Sequence, residues 1–116
     1  MTYWIGVDIG TTATKAVLFT ASGKVKASHT IAYDLYRDSS GMAEEVPEDI
    51  FDAIIGTIRA VSDSLTVTDK LAGIGFSAQQ HSLIGAAYDF RPLTRVITWA
   101  DMRANEEATT LRNSEQ

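Results

Sequence analysis

Cysteine is absent from this 116-residue sequence, which removes disulfide scaffolds, thiolate metal sites and thiol nucleophiles together. Basic charge is scarce: Lys and Arg total 10 against 15 Asp and Glu, for a formal net charge of −5. A nucleic-acid backbone or an anionic membrane surface needs a basic footprint, so neither is expected as a partner. The two histidines, His29 and His81, stand far apart and do not make a metal-ligand pair. No apolar run approaches a membrane span, and residues 1–9 show no basic stretch followed by an apolar one. A cytoplasmic location is therefore expected. Two phosphate-binding motifs are also missing. There is no G-x-x-x-x-G-K-[ST]. Gly73–Ala78 fits the relaxed dinucleotide pattern G-x-G-x-x-A, but its first glycine falls inside a predicted strand and no helical pattern starts at Ala78.

What is present is an ordinary globular mixture, 45% hydrophobic and 22% charged. The length fits about one domain with a modest core. Tyr3, Ile5, Val7 and Ile9 share one face of a short buried strand, broken at Gly10-Thr11-Thr12 and resumed over Ala13–Thr20. After the turn signal Ala21–Lys24, residues Val25 to Tyr33 alternate with period two. The opening thus predicts a three-strand antiparallel meander. Asp34–Val46 reads as a loop. Pro47 suits the first position of a helix and Glu48 and Asp49 its positive end. Ile50, Phe51, Ile54, Ile55, Ile58, Val61 and Leu65 give that helix an apolar stripe. Leu71–Phe76 reads as a buried strand reached through the helix, and Leu83–Tyr88 and Arg95–Trp99 as two more around an Asp89–Pro92 turn. Asp101 can cap a last helix from Met102 to about Arg112. The order β-β-β-α-β-β-β-α predicts an α/β fold, a mixed sheet covered by helices. The last helix reaches the end of the sequence with no glycine cap, so more protein is expected to follow.

Gly6-Val7-Asp8-Ile9-Gly10-Thr11-Thr12-Ala13-Thr14-Lys15 is the most informative stretch. A strand carries the carboxylate of Asp8 to its end, and Gly10 lets the backbone turn tightly against a ligand. Thr11 and Thr12 add hydroxyls and backbone N–H groups where an anion can be cradled, and Lys15 returns with positive charge. Phosphoryl transfer needs these parts: a carboxylate for hydrated Mg²⁺, donors for phosphate oxygens and a cation. A plain hairpin would use the same Gly and Thr for its turn. A carboxylate between Val7 and Ile9 in a buried strand is costly without a task, and that favours the phosphate site.

Ser77-Ala78-Gln79-Gln80-His81-Ser82 follows a strand end, where α/β proteins usually place ligand groups. Gln80 and His81 suit sugar hydroxyls; a histidine satisfied within the fold would look the same. In Ile97–Arg103, Asp101 could be a helix cap and Arg103 a first-turn surface residue.

Gly6–Thr12 with Lys15 resembles the first phosphate motif of the actin-like ATPase superfamily, and more closely that of the FGGY carbohydrate kinases. Gln79-Gln80-His81 matches the family's sugar-contacting Q-M-H or Q-R-E segment. Pro92-Leu93 and Trp99-Ala100-Asp101-Met102-Arg103 match its P-L and W-x-D-x-R, in order and at the family's spacing. The turn Asp89–Pro92 departs from the family in lacking its usual glycine. The resemblance implies a ribonuclease H-like (actin-like ATPase) fold, with residues 1–116 the N-terminal part of the first kinase domain. It implies ATP and Mg²⁺ as cofactors: Asp8 at the metal and phosphate, Gly10, Thr11, Thr12 and Lys15 at phosphate, and Gln79, Gln80, His81, Asp101 and Arg103 at the sugar. The catalytic base and adenosine pocket would lie outside this sequence, so the chain alone is expected to be inactive. His81–Ile84 and Thr94–Arg103 look most like gluconate kinases, implying conversion of gluconate to 6-phosphogluconate; xylulose or another sugar, or a non-catalytic sugar- or nucleotide-binding module, is the alternative. Expected partners are the sugar, ATP and the rest of the kinase chain, with a homodimer left open.

Overall fold

Alternation gives the opening strands their faces. In the computed structural model, which describes residues 1–114, β1 (Thr2–Ile9), β2 (Ala13–Thr20) and β3 (Val25–Ala32) form the expected antiparallel meander. Tyr3, Ile5, Val7, Ala16 and Leu18 point to one side and are buried there. The next element, α1 (Pro47–Ser62), begins at the proline and carries Glu48 and Asp49 in its first turn. Val61 joins the buried cluster, with Ile54, Ile58 and Leu65 packed against it. The stripe is narrower than its sequence suggests, because Phe51 is left exposed while small Ala53 and Thr57 are buried. Small residues let the helix sit close to the sheet: a Cβ on Gly56 would lie 2.7 Å from Ile31 Cδ1. Buried Thr57 keeps its hydroxyl satisfied by donating to Ile54 O at 3.0 Å.

The chain then crosses to β6 (Lys70–Ala78), parallel to β1, giving the sheet order β3-β2-β1-β6. Asp69 secures this crossover. It accepts from Thr66 N–H and from Lys26 Nζ, and it meets the N-terminal amino group. These contacts, the Thr66 backbone first, hold its carboxyl well below the usual range. One expectation fails here. Leu71, Ile74 and Phe76 were expected to be buried, yet all three are exposed, Phe76 at 61%. Their register sets them beside Tyr3, Ile5 and Val7 on the helix side, but α1 packs over β1, β2 and β3 and leaves β6 at the sheet edge.

This sheet and α1 constitute one compact unit, Met1–Asp34 with Pro47–Gln79; Leu35–Val46 with Gln80 onward constitute a second. In the second, β4 (Tyr36–Arg37), β5 (Ala43–Glu45) and β7 (Val96–Ile97) form a small sheet, followed by α2 (Asn105–Ser114). The segment expected to be a loop therefore holds two strands, too short to show a period. The expected strand Leu83–Tyr88 does not form. An irregular hairpin replaces it, joined at Leu83–Ile97 and Ala86–Pro92. The Thr94 hydroxyl takes the Gly85 N–H, a side chain substituting for a ladder bond. The predicted strand Arg95–Trp99 contracts to Val96–Ile97. The last helix starts at Asn105 instead of Met102, because Asp101 Oδ1 accepts Arg103 N–H and Met102 N–H goes to Gly41 O.

Candidate functional site

In the first unit, β1 and β2 pair Asp8 with Lys15 and Ile9 with Thr14, so the turn between them consists of Gly10, Thr11 and Thr12. On its other side Asp8 is in register with Ser77 of β6. Neighbours in register share a face, so Lys15, Asp8 and Ser77 form a polar row across three strands. The row faces away from α1, since the flanking Val7, Thr14 and Ala16 are buried on the helix side. Asp8 is exposed, so the burial cost expected from its apolar neighbours does not arise. Its case rests instead on its place beside the turn.

The carbonyls of Gly10 and Thr12 in the turn, and of Ile9 and Ala13 at its two ends, are engaged. Ile9 O accepts from Gln79 N–H at 2.9 Å, Gly10 O from the Tyr33 hydroxyl, Thr12 O from Tyr33 N–H at 3.0 Å, and Ala13 O from Gly10 N–H at 2.9 Å. A Cβ on Gly10 would lie 3.0 Å from Ala13 O, tighter than side chains normally tolerate against a backbone atom. Close approach thus favours glycine here. Gln79 lies against this turn too, with the Thr11 hydroxyl donating to Gln79 Oε1 at 3.4 Å. Asp8, Gly10, Thr11, Thr12, Lys15 and Gln79 are therefore assembled on one unit. Among the described residues no group of three or more His, Cys, Asp or Glu is placed to hold a metal. Asp8, exposed beside the turn, offers the single carboxylate that a hydrated Mg²⁺ shares with phosphate oxygens in sites of this kind.

In the second unit the W-x-D-x-R segment wraps around Ala43. Ala43 N–H donates to Asp101 Oδ2 at 3.0 Å, while Ala43 O accepts from the Thr98 hydroxyl at 2.9 Å and from Thr98 N–H at 3.1 Å. Arg103 then closes on Asp101, with Nη2 at 2.7 Å from Oδ2 and Nε donating to both oxygens. The same Nη2 reaches Glu44 Oε2 at 3.1 Å. The Asp101 side chain is only 6% exposed and Arg103 is 39% exposed. The guanidinium, followed by Ala43 N–H, holds the Asp101 carboxyl well below the ordinary carboxylate range, and Asp101 in turn raises Arg103. With two carboxylates around one guanidinium, the cluster carries one net negative charge. Gln80 and His81 are exposed, and His81 takes the left-handed conformation at φ 59°, which a non-glycine residue adopts at some cost.

The matching family model is the N-terminal domain of the FGGY family of carbohydrate kinases, over residues 3–116. The chain belongs to the FGGY family. Among FGGY relatives, the gluconokinase of Bacillus subtilis (strain 168) is 42% identical over 102 residues, covering 88% of this chain and 20% of its own. A xylulose kinase of Staphylococcus xylosus is 32% identical over 114 residues, covering 98% and 23%. The chain thus spans about a fifth of the length of these relatives. Two crystal structures from Lactobacillus acidophilus, a gluconate kinase and a ligand-bound xylulose kinase, each match at a TM-score of 0.90 and 42% identity. They cover 97% and 98% of this chain and 23% of theirs. The fold is the actin-like ATPase fold of the FGGY kinases, as the resemblance implied.

Three contributors were not singled out by the sequence. Ser77 sits beside Asp8, Tyr33 braces the Gly10–Thr12 turn and Glu44 shares Arg103. No spacing signal marks Tyr33 or Glu44, since each acts across pairings that only the fold creates.

Proposed function

We propose that this chain supplies the phosphate hairpin and sugar-binding residues of an ATP-dependent sugar kinase. The observation that carries the proposal is the row Lys15, Asp8 and Ser77 beside a turn whose Gly10 and Thr12 carbonyls are engaged. Thr11, Thr12 and the Gly10 backbone would hold phosphate oxygens, Lys15 would add positive charge, and Asp8 would hold hydrated Mg²⁺. When bound, Mg²⁺ supplies charge neutralisation on the phosphates. Gln79 is proposed at the sugar by likeness to the family segment, though its contact with Thr11 also suits the phosphate side. Gln80, His81, Asp101 and Arg103 would bind sugar hydroxyls, with Arg103 oriented by Asp101 and Glu44. The reaction is assigned to the cytoplasm, where ATP is held.

Gluconate is the leading substrate, supported by the likeness to a gluconokinase and to a gluconate kinase. One observation favours a neutral sugar such as xylulose instead. Arg103, the cation nearest at hand for a sugar-acid carboxylate, is already paired with two carboxylates. A panel of gluconate, xylulose, glycerol and rhamnulose with the full-length enzyme decides between them.

Asp8→Asn in the full-length protein tests the mechanism. Turnover should fall about a hundredfold or more, the scale of removing an electrostatic group from a transfer site, while sugar affinity is kept. Turnover within a few-fold of wild type would defeat the role given to Asp8, and a full-length protein with no ATP-dependent turnover at all would leave a non-catalytic binding module.

A further inference from the structure

We propose that Tyr33 is a positioning residue of the phosphate site, one that keeps the Gly10 and Thr12 carbonyl oxygens turned away from the incoming phosphate. This rests on the reading of Gly6–Lys15 as a phosphate site.

A loop can bind an anion through its N–H groups only if its carbonyls point elsewhere, because a carbonyl oxygen beside a phosphate oxygen repels it. A three-residue turn has few internal partners for these carbonyls. Gly10 N–H provides for Ala13 O, and Gln79 N–H for Ile9 O. Gly10 O and Thr12 O both depend on Tyr33, the first through its hydroxyl and the second through its N–H at 3.0 Å. Tyr33 follows directly on β3, whose last residue, Ala32, pairs with Ala13. The meander therefore delivers it to the turn.

The hydroxyl has a second partner. Thr14 Oγ1, on a fully buried side chain, lies 3.2 Å from Tyr33 Oη. A phenol has one proton, so a Tyr33 that donates to Gly10 O must accept from Thr14. The result is a relay, Thr14 to Tyr33 to Gly10 O, whose members polarise one another. It lies on the helix side of the hairpin, where Thr14 is buried, while Asp8 and Lys15 project from the other side. Tyr33 thus touches no reacting group and acts through the Gly10 carbonyl.

The test uses the full-length kinase with ATP and its best sugar. Tyr33→Phe keeps the ring and the N–H and removes only the relay. KM for ATP should rise roughly five- to tenfold, the size of one lost hydrogen bond in a preorganised site, with KM for the sugar unchanged. A residue that merely stabilised the fold would lower the active fraction and leave both KM values in place. Thr14→Val, which removes the relay's first donor, should shift KM for ATP in the same direction by a smaller factor, and it serves if Tyr33→Phe does not fold. An unchanged KM for ATP in a folded Tyr33→Phe, or in Thr14→Val if that is the variant measured, overturns the inference. Asp8→Asn is run alongside. If it loses turnover while the relay variants behave as wild type, only the role of Tyr33 falls. If it keeps turnover, the phosphate reading falls with it.

Discussion

Phe90 occupies a position built for glycine, and replacing it tests the hairpin of the second unit directly. Its φ is +64°. Phe90 N–H donates to Ala87 O at 2.9 Å and Ala87 N–H to Arg91 O at 2.8 Å. That is a turn followed by one left-handed residue, the three-residue hairpin connection that normally carries glycine at this point. A left-handed L-residue costs roughly 1–2 kcal/mol. The ring recovers none of this through packing, being 89% exposed. Phe90→Gly removes the strain but adds backbone freedom to the unfolded chain, worth about 0.5–1 kcal/mol. The net expectation is local stabilisation of about 0.5–1 kcal/mol. Native-state hydrogen exchange reads it: protection of the residue 87 and 90 amides should rise roughly two- to fivefold. Phe90→Ala is the control, since it discards the ring and keeps the Cβ, and it should gain nothing. Equal gains in Ala and Gly, or no gain in Gly, would show that the left-handed backbone at residue 90 stores no such strain.

Two further outcomes are expected. Gly56→Ala should gain about 1 kcal/mol of helix propensity and lose a comparable amount against Ile31 Cδ1, which a new Cβ would meet at 2.7 Å. Alone it should be near neutral, whereas with Ile31→Val, which deletes that Cδ1, it should stabilise; a denaturant double-mutant cycle showing no coupling would contradict the close approach. The Asp101 carboxyl, depressed chiefly by Arg103, contributes stability that is fully present above the unfolded value of about 4 and is lost as pH falls through its lower folded value. An acid titration following the Ala43 amide should show that loss, and Asp101→Asn should flatten it.

The first sheet was legible because its signals are long and periodic. Tyr3 to Val7 and Ala16 to Leu18 alternate strictly, and Pro47 with its two acids marks a helix start that local chemistry alone decides. The small sheet was not legible, since Tyr36–Arg37, Ala43–Glu45 and Val96–Ile97 are only two or three residues long and exist only through one another. Leu83–Tyr88 misled for the opposite reason. Its apolar run looks like a strand, yet Gly85 and two alanines give little to a pleated surface, and a threonine hydroxyl took the ladder bond. In the candidate site the turn and its carboxylate could be read from spacing. The Tyr33 brace and the Glu44 share of Arg103 join residues 19 or more positions apart and could not.

The central position of β1 also bears on the order in which the hairpin matures. Its pairing with β2 closes a turn of a few residues, whereas its pairing with β6 joins Thr2 to Lys70 across the whole meander and helix. Loop closure over that distance costs more and comes later. The Tyr33 brace belongs to the early, local part of folding, and the Gln79 contact with Ile9 O belongs to the late part. A nascent chain would thus carry a shaped but incomplete Gly10–Thr12 turn, finished only when β6 docks.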